Sequence, residues 1–259
     1  MAVRSIAHDF DQISRAYDAT REPIAAETMA SLVGELRARG VVRLLEVGVG
    51  TGRVAAPLQA AGFPMVGVDA SKGMLANARR KGLDRLVRGH ALHLPFANGA
   101  FSATLFVHVL HIVDDPARAI AEAIRVARAG AFALVHPHAP RDSSIEWPRR
   151  RLRELLAAEG VRPPGPSGGP GRRERELLRS LPPDELIPLG ERLVREPLAR
   201  QLDPMLARAH RSTLAVPPEL MERVVAQVRR EVGDAEIEHR QVEALAHWAH
   251  APRDPVFPS

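Results

Sequence analysis

The feature that most constrains this chain is a short apolar run that ends in an acid and breaks into alternating glycines: Leu44-Leu45-Glu46-Val47-Gly48-Val49-Gly50-Thr51-Gly52. Leucines and valines without polar alternation read as a strand buried on both faces, the habit of parallel sheets. Glycines lack Cβ, so a ligand can approach the backbone closely there. The spacing then predicts a helix over residues 53–61, ended by Gly62. Its unpaired N–H groups and positive dipole end suit a carboxylate or phosphate. In open α/β sheets the crevice at the strand C-termini is the usual ligand site.

The pattern repeats downstream. Residues 64–68 form a second apolar run closed by Asp69, and Ser71 caps a helix reaching residue 80. A weak strand is predicted at 86–88 and a strong one at 103–109. Asp115-Pro116 opens a helix to 129, Gly130 stops it, and 131–135 is a fifth strand. Upstream, residues 6–36 read as helical. Strands alternating with helices argue for a parallel sheet with helices on both faces. Beyond Pro137, helices are expected at 149–159, 172–180, 202–212 and 218–232, and strands at 185–198 and 238–248. Residues 163–171, rich in Pro and Gly, read as a loop.

The 259 residues are expected to form a single domain: N-terminal helices over 1–40, a core over 41–140, and C-terminal strands with a helical insertion over 141–259. There is no cysteine, which excludes disulfides, thiolate metal sites and cysteine nucleophiles and fits a cytoplasmic protein. No apolar run reaches the roughly 20 residues of a membrane span, and no signal peptide is expected. The formal charge of +5 reads as an Arg-rich solvated surface with interspersed acids. One Tyr and two Trp leave few stacking platforms for nucleic acid, so a small-molecule partner is expected. A homodimer stays open.

Asp69 stands seventeen positions after Gly52, at a strand end, where it can accept hydrogen bonds from two ribose hydroxyls. Glycine loop plus terminal acid therefore reads as adenosine recognition. A dinucleotide fingerprint needs Gly-x-Gly-x-x-Gly. Counting from Gly48, the third glycine is replaced by Arg53; counting from Gly50, by Ala55, which the pattern tolerates. Glu46 would repel a pyrophosphate, but it can serve a cationic ligand or orient the loop. A tight turn that binds nothing is the bland alternative.

These residues resemble motif I of class I S-adenosylmethionine-dependent methyltransferases. The resemblance continues in Val66-Gly67-Val68-Asp69-Ala70-Ser71-Lys72-Gly73-Met74-Leu75, in Leu94-Pro95-Phe96-Ala97-Asn98-Gly99-Ala100-Phe101 and in Leu110-His111-Ile112-Val113-Asp114-Asp115-Pro116. With Phe10-Asp11-Gln12-Ile13-Ser14-Arg15-Ala16-Tyr17-Asp18 it covers about residues 10–137 and is similar to the ubiquinone/menaquinone-type, or type 11, subgroup. It implies an α/β, Rossmann-like seven-stranded sheet. That sheet is mostly parallel with the last strand antiparallel, has helices on both faces, and carries a helical cap between the sixth and seventh strands. It implies S-adenosylmethionine as cofactor and S-adenosylhomocysteine as product. Gly48, Gly50 and Gly52 would line its methionyl and ribose part, with Glu46 beside them. Asp69 would hold the ribose hydroxyls, and Ser71 and Met74 would flank the adenine. Tyr17 and Arg21 would close over the amino-acid end. Ala70, Ala91, Leu92 and Val107 complete the expected contacts.

The sequence departs from the family at Gly89-His90-Ala91, where the usual Asp near the adenine amino group is His90. A neutral His90 can accept that hydrogen bond or stack on the ring. Phe101-Ser102 and Ala127-Arg128-Ala129-Gly130-Ala131 also differ from the usual pattern, but the turn glycine survives.

Methyl transfer asks an enzyme for position, dryness and sometimes a base. His108 and His111, at the end of the fourth strand, are the candidate catalytic residues. His136 and His138 leave the fifth strand and read as loop or supporting residues. No metal is expected, since no carboxylate or cysteine shares the histidines' spacing. The expected activity is methylation of a small molecule on O, N or C. The rivals are a cofactor-binding protein with other chemistry or a regulatory role, a nucleotide-dependent oxidoreductase, and an RNA methyltransferase. The last lacks the Asn/Asp-Pro-Pro-Tyr-type motif.

Overall fold

Seven strands of the computed structural model form one sheet: β1 (Leu44–Val47), β2 (Met65–Asp69), β3 (Leu86–Arg88), β4 (Ala103–Val107), β5 (Ala131–Val135), β6 (Glu185–Pro197) and β7 (Glu236–Trp248). The structure describes residues 6–21, 23–137, 143–163, 170–207 and 213–252, and counts refer to these. Strand order is β3-β2-β1-β4-β5-β7-β6. β1 lies centrally and pairs in parallel with β2 and β4, while β7 runs antiparallel to β5 with Ala131 opposite Trp248. Asp184 N–H bonds to His247 carbonyl at 2.9 Å and Leu198 N–H to Ala235 carbonyl at 2.8 Å, so β6 and β7 also run antiparallel.

The helices are α1 (Ile6–Tyr17), α2 (Ala26–Ala38), α3 (Ala55–Ala60), α4 (Lys72–Arg80), α5 (Pro116–Val126), α6 (Trp147–Ala158), α7 (Pro170–Ser180), α8 (Asp203–Leu206) and α9 (Pro218–Val232). Both expected caps form. The Ser71 hydroxyl accepts the Met74 N–H at 3.1 Å, and Asp115 accepts the Arg118 N–H at 2.9 Å. The expected helix over 6–36 is two helices. After a single turn at Asp18–Thr20, Arg21 is extended (φ −116°, ψ 123°), and Pro23 follows, which lacks an N–H and disfavours helix before it. The expected helix over 202–212 is only Asp203–Leu206 in the described residues; 208–212 lie outside them.

The chain divides into two compact units. The sheet unit comprises Pro23–Ala139, Pro170–Glu191 and Val242–Ser259. Its strands are apolar on both faces. Leu45, Val47, Phe106, Ala133 and Val135 meet α5 and α7 on one side. Leu44, Ala103, Leu105, Phe132 and Leu134 meet α2 and α3 on the other. Each such side chain contributes about 1.5–3 kcal/mol by leaving water when it has the size of Leu or Phe. The helical unit comprises Met1–Glu22, Pro140–Gly169 and Arg192–Gln241. Leu152 and Leu156 of α6 pack there with Val224, Val225 and Val228 of α9. No described helix is long and apolar enough to cross a membrane.

Candidate functional site

The glycine loop hangs from β2. The N–H groups of Gly48 and Val49 both bond to the Val68 carbonyl, at 2.8 and 3.0 Å. Its glycines take positive φ, and two of them have different reasons for doing so. At Gly48 (φ +73°) a Cβ would come within 2.6 Å of the Val109 side chain, so packing excludes it. At Gly50 (φ +54°) a Cβ would find nothing closer than the Gly48 carbonyl at 4.0 Å. Gly50 is thus where the loop leaves its outer face open.

Asp69, at the end of β2, fastens this loop to the head of α4. Oδ2 accepts the Gly50 N–H and Oδ1 accepts the Ser71 N–H, both at 2.8 Å. Each carboxylate oxygen carries a second lone pair. Beneath the loop, Glu46 is only 2% exposed. Burial, helped by the Asp69 charge, pushes its carboxyl up to about 8, against opposing contributions from the Ala55 N–H and Arg53. Its Oε2 has no hydrogen-bond partner among the described residues. A buried carboxyl with an unpaired oxygen is poised for a cationic donor.

Of the adenine-side candidates, Ser71 and Met74 are buried, the hydroxyl as helix cap and the thioether in the interior. Ala70, Ala91, Leu92 and Val107 are partly exposed. His90 is exposed, and its Nδ1 accepts the Leu92 N–H at 3.3 Å. The neutral ring therefore carries its proton on Nε2 and presents a donor, the reverse of the carboxylate it replaces. Tyr17 and Arg21 belong to the helical unit, where the Arg21 guanidinium lies 4.8 Å from the Tyr17 ring centroid.

The histidines assemble around a residue the sequence had not singled out. His108 leaves β4 in the left-handed region (φ 49°), the one described non-glycine residue to do so. Single strained residues of this kind cost about 1–3 kcal/mol and cluster at functional sites. The His108 Nδ1 lies 2.9 Å from Oε1 of Glu174, on α7. Oε2 of the same carboxylate accepts the His136 backbone N–H at 2.9 Å and lies 3.4 Å from that ring's Nδ1. His111 Nδ1 sits 3.5 Å from Oε1, in ion-pair range but without hydrogen-bond alignment. The β5–β7 register, carried one step past Val135↔Ala244, puts Glu243 opposite His136, with Oε1 3.8 Å from Nε2. The rings of His108 and His136 stack at 4.5 Å and 7°. His138 lies outside the described residues.

The surroundings give these groups different charges. His108 is held below its ordinary value, first by burial, against the pull of Glu174. His136 is raised to about 9 because two carboxylates, Glu174 and Glu243, outweigh its own burial. The three histidines hold Glu174 well below the carboxylate range despite its burial. The cluster is thus a neutral His108 lying against an imidazolium, both bridged by one carboxylate. Donor atoms of His108, His136 and Glu174 all lie within 4.8 Å of one another. A carboxylate therefore does join the histidines, contrary to the expectation from sequence spacing, because α7 brings it from a distant part of the chain.

Glu174 had a sequence signal. It shares the i, i+3, i+4, i+7 stripe of α7 with Leu177, Leu178 and Leu181, an acid on the apolar face of a helix.

Comparison with known proteins places this geometry. The methyltransferase-domain family matches residues 45–135. The chain is 31% identical to a phosphatidylethanolamine N-methyltransferase of Cereibacter sphaeroides, across 52% of this chain and 71% of that one. It is 33% identical to a demethylmenaquinone methyltransferase of Beutenbergia cavernae, across 50% of this chain; the match spans only 56% of that protein's length. Among solved structures, the YcgJ protein of Bacillus subtilis aligns with a TM-score of 0.52 at 17% identity, covering 87% of this chain and 100% of that one. A SAM-dependent methyltransferase from Thermotoga maritima aligns at 0.50 and 21% identity, over 95% of this chain and 100% of that one. At such identities the structures attest the fold. Taken with the sequence relatives, they place the chain in the class I S-adenosylmethionine-dependent methyltransferases, type 11 subgroup.

Proposed function

We propose that the chain transfers the methyl group of S-adenosylmethionine to a small-molecule acceptor on O, N or C, with His108 as general base. The observation that carries this reading is the coupling of base and loop. β1 and β4 are adjacent and parallel, His108 leaves the end of β4, and the next residue, Val109, packs on Gly48.

The residues present fit the cofactor. The unpaired Oε2 of Glu46 suits the ammonium of its methionyl end, and the open face at Gly50 gives the backbone room to be approached. The Asp69 carboxylate, at the end of β2 beside the loop, suits ribose hydroxyls. Ser71, Met74, Ala70, Ala91, Leu92 and Val107 are proposed to line the adenosine, with His90 donating from Nε2. Gly48 and Gly52 hold the loop. When bound, the sulfonium supplies an electrophilic methyl group.

Glu174 fixes His108 as the tautomer with Nδ1–H donated to its carboxylate, which leaves the Nε2 lone pair for the acceptor's proton. The His108 side chain is 25% exposed, so one edge of the ring can be reached. As the acceptor bonded to the methyl carbon and the carbon–sulfur bond broke to leave a neutral thioether, the acceptor's proton would pass to Nε2 and afterwards to water. His111 lines the same small cavity and is proposed to support this step. The lack of cysteine supports a cytoplasmic setting.

The test is a methyl-transfer assay with labelled cofactor. Acceptors with apolar bodies head the panel, since the relatives are named for demethylmenaquinone and phosphatidylethanolamine. His108→Gln is expected to lower kcat by about 10²–10⁴-fold, the usual contribution of a general base. Calorimetric affinity for S-adenosylhomocysteine should stay within about twofold. Glu174→Gln should reduce kcat too and alter its pH profile. Tight S-adenosylhomocysteine binding with no product from any acceptor would favour a cofactor-binding protein with other chemistry; tight NAD binding would favour an oxidoreductase.

A further inference from the structure

The helical unit contains a cavity that methyl transfer does not use. It is a cleft partly open to solvent, and its wall includes Leu152, Leu156, Met205 and Met221 together with Arg149 and Arg153. Helix α6 builds it: Arg149, Leu152, Arg153 and Leu156 recur at i, i+3, i+4 and i+7 on one face. Helical period sorts the run Arg149-Arg150-Arg151. Arg150 is exposed. Arg151 turns to α9, where its Nε and Nη2 meet the Glu231 carboxylate at 2.7 and 3.1 Å. Arg149 turns inward.

Partly exposed at the cleft, Arg149 is poorly compensated. Its Nε reaches the Gln201 carbonyl only at 3.4 Å, and no carboxylate of the described residues lies within salt-bridge distance. Glu146 and Glu196 act on it from further away, and Oε1 of Glu196 is already taken by the Gln201 amide at 2.7 Å. Arg21 and Arg153 add like charge. Burial, then Arg21, holds Arg149 below the ordinary guanidinium value. Two cations one turn apart repel, and a desolvated charge without a counter-ion is costly. An anion bound between them would relieve both costs, and the apolar wall would shield its remaining atoms from water.

We propose that this cavity binds an anionic amphiphile, a carboxylate or phosphate held by Arg149 and Arg153 with a short apolar body against Leu152, Leu156, Met205 and Met221. The guanidinium fork matches either anion in bidentate fashion. The site stands independently of the methyl-transfer reading.

The experiment is calorimetric titration of the full chain with octanoate, octyl phosphate, octanol and inorganic phosphate, repeated with R149Q and R153Q. At least one of the two amphiphiles is expected to bind, and which one identifies the anion. Octanol and inorganic phosphate should bind at least tenfold more weakly, and either substitution should weaken the amphiphile at least tenfold. Without ligand, the thermal midpoint of R149Q should equal or exceed that of the unsubstituted protein, because a poorly compensated charge beside Arg21 and Arg153 is gone. A lower midpoint would make Arg149 structural and overturn the proposal. So would equal binding of octanol and octanoate, amphiphile binding untouched by R149Q and R153Q, or no binding of either amphiphile.

Discussion

Replacing His136 with Gln tests the charge assignment in the histidine cluster most directly. In the folded protein His136 is raised from 6.5 to about 9 by Glu174 and Glu243. That is a gap of about 2.5 units at about 1.36 kcal/mol each, so the linkage is worth ~3 kcal/mol at full strength. The side chain is 27% exposed, so screening trims this to about 2–3 kcal/mol. Because the folded value lies above the unfolded one, this stability is fully present below pH 6.5. It is lost as pH rises through about 9. His136→Gln stays neutral throughout and lacks this loss.

The assay is urea or thermal unfolding of both proteins at intervals from pH 6 to 10. Other groups that titrate near pH 10 cancel when the two curves are subtracted. Between pH 6.5 and 9.5 the unsubstituted protein should lose about 2–3 kcal/mol more than the variant. That is roughly 5–10 °C of midpoint for a chain of this size. Parallel loss in the two proteins over this window would refute the imidazolium, and with it the reason His108 has a charged neighbour.

Glu46 supplies a second pH prediction. Its carboxyl sits at about 8 in the free protein, and a bound ammonium favours the ionised form. Below pH 8, S-adenosylhomocysteine affinity should therefore fall by up to tenfold per pH unit, with proton release visible as buffer-dependent binding enthalpy; Glu46→Gln should abolish both effects. The loop glycines should respond differently from one another. Gly48→Ala drives a Cβ against Val109 on top of the strain of its positive φ and should cost about 2–5 kcal/mol of stability. Gly50→Ala meets open space and should cost only the backbone strain of about 1–2 kcal/mol, while weakening S-adenosylhomocysteine binding measured by calorimetry.

The sheet unit was legible because its signals are local. Apolar runs, Ser71, Asp115 with Pro116, and the glycine loop each act within a few residues, and the structure places each element within a few residues of expectation. The long helix over 6–36 failed because apolar spacing was followed across Pro23, whose missing N–H outranks periodicity. His90 changed polarity through a bond to Leu92 two residues on, a tautomer choice that residue type alone does not fix. His108 and His111 were legible as a pair at a strand end. Glu174, 66 positions beyond His108, was not, because only the packing of α7 against the strand ends joins them. Its apolar stripe gave a warning that a buried acid was coming, but no indication of its partner.

In the proposed mechanism, that distant carboxylate lets a base kept neutral at rest still take a proton. Near pH 7 the directions assigned to Glu174, Glu243, His136 and His108 make two anions, one cation and one neutral ring. These four groups carry one excess negative charge. Burial keeps His108 unprotonated while it waits, so its Nε2 lone pair stays open. When a proton arrives from an acceptor, the excess charge falls to zero, and the new imidazolium already has Glu174 at 2.9 Å to stabilise it. The stacked His136 works the other way, holding the basicity of His108 down so that it releases the proton afterwards. A single histidine with an ordinary value near 6.5 would have no fixed tautomer and would be partly protonated at rest. The buried acid on α7 therefore supplies direction to the ring, and the second imidazole supplies its readiness to let go.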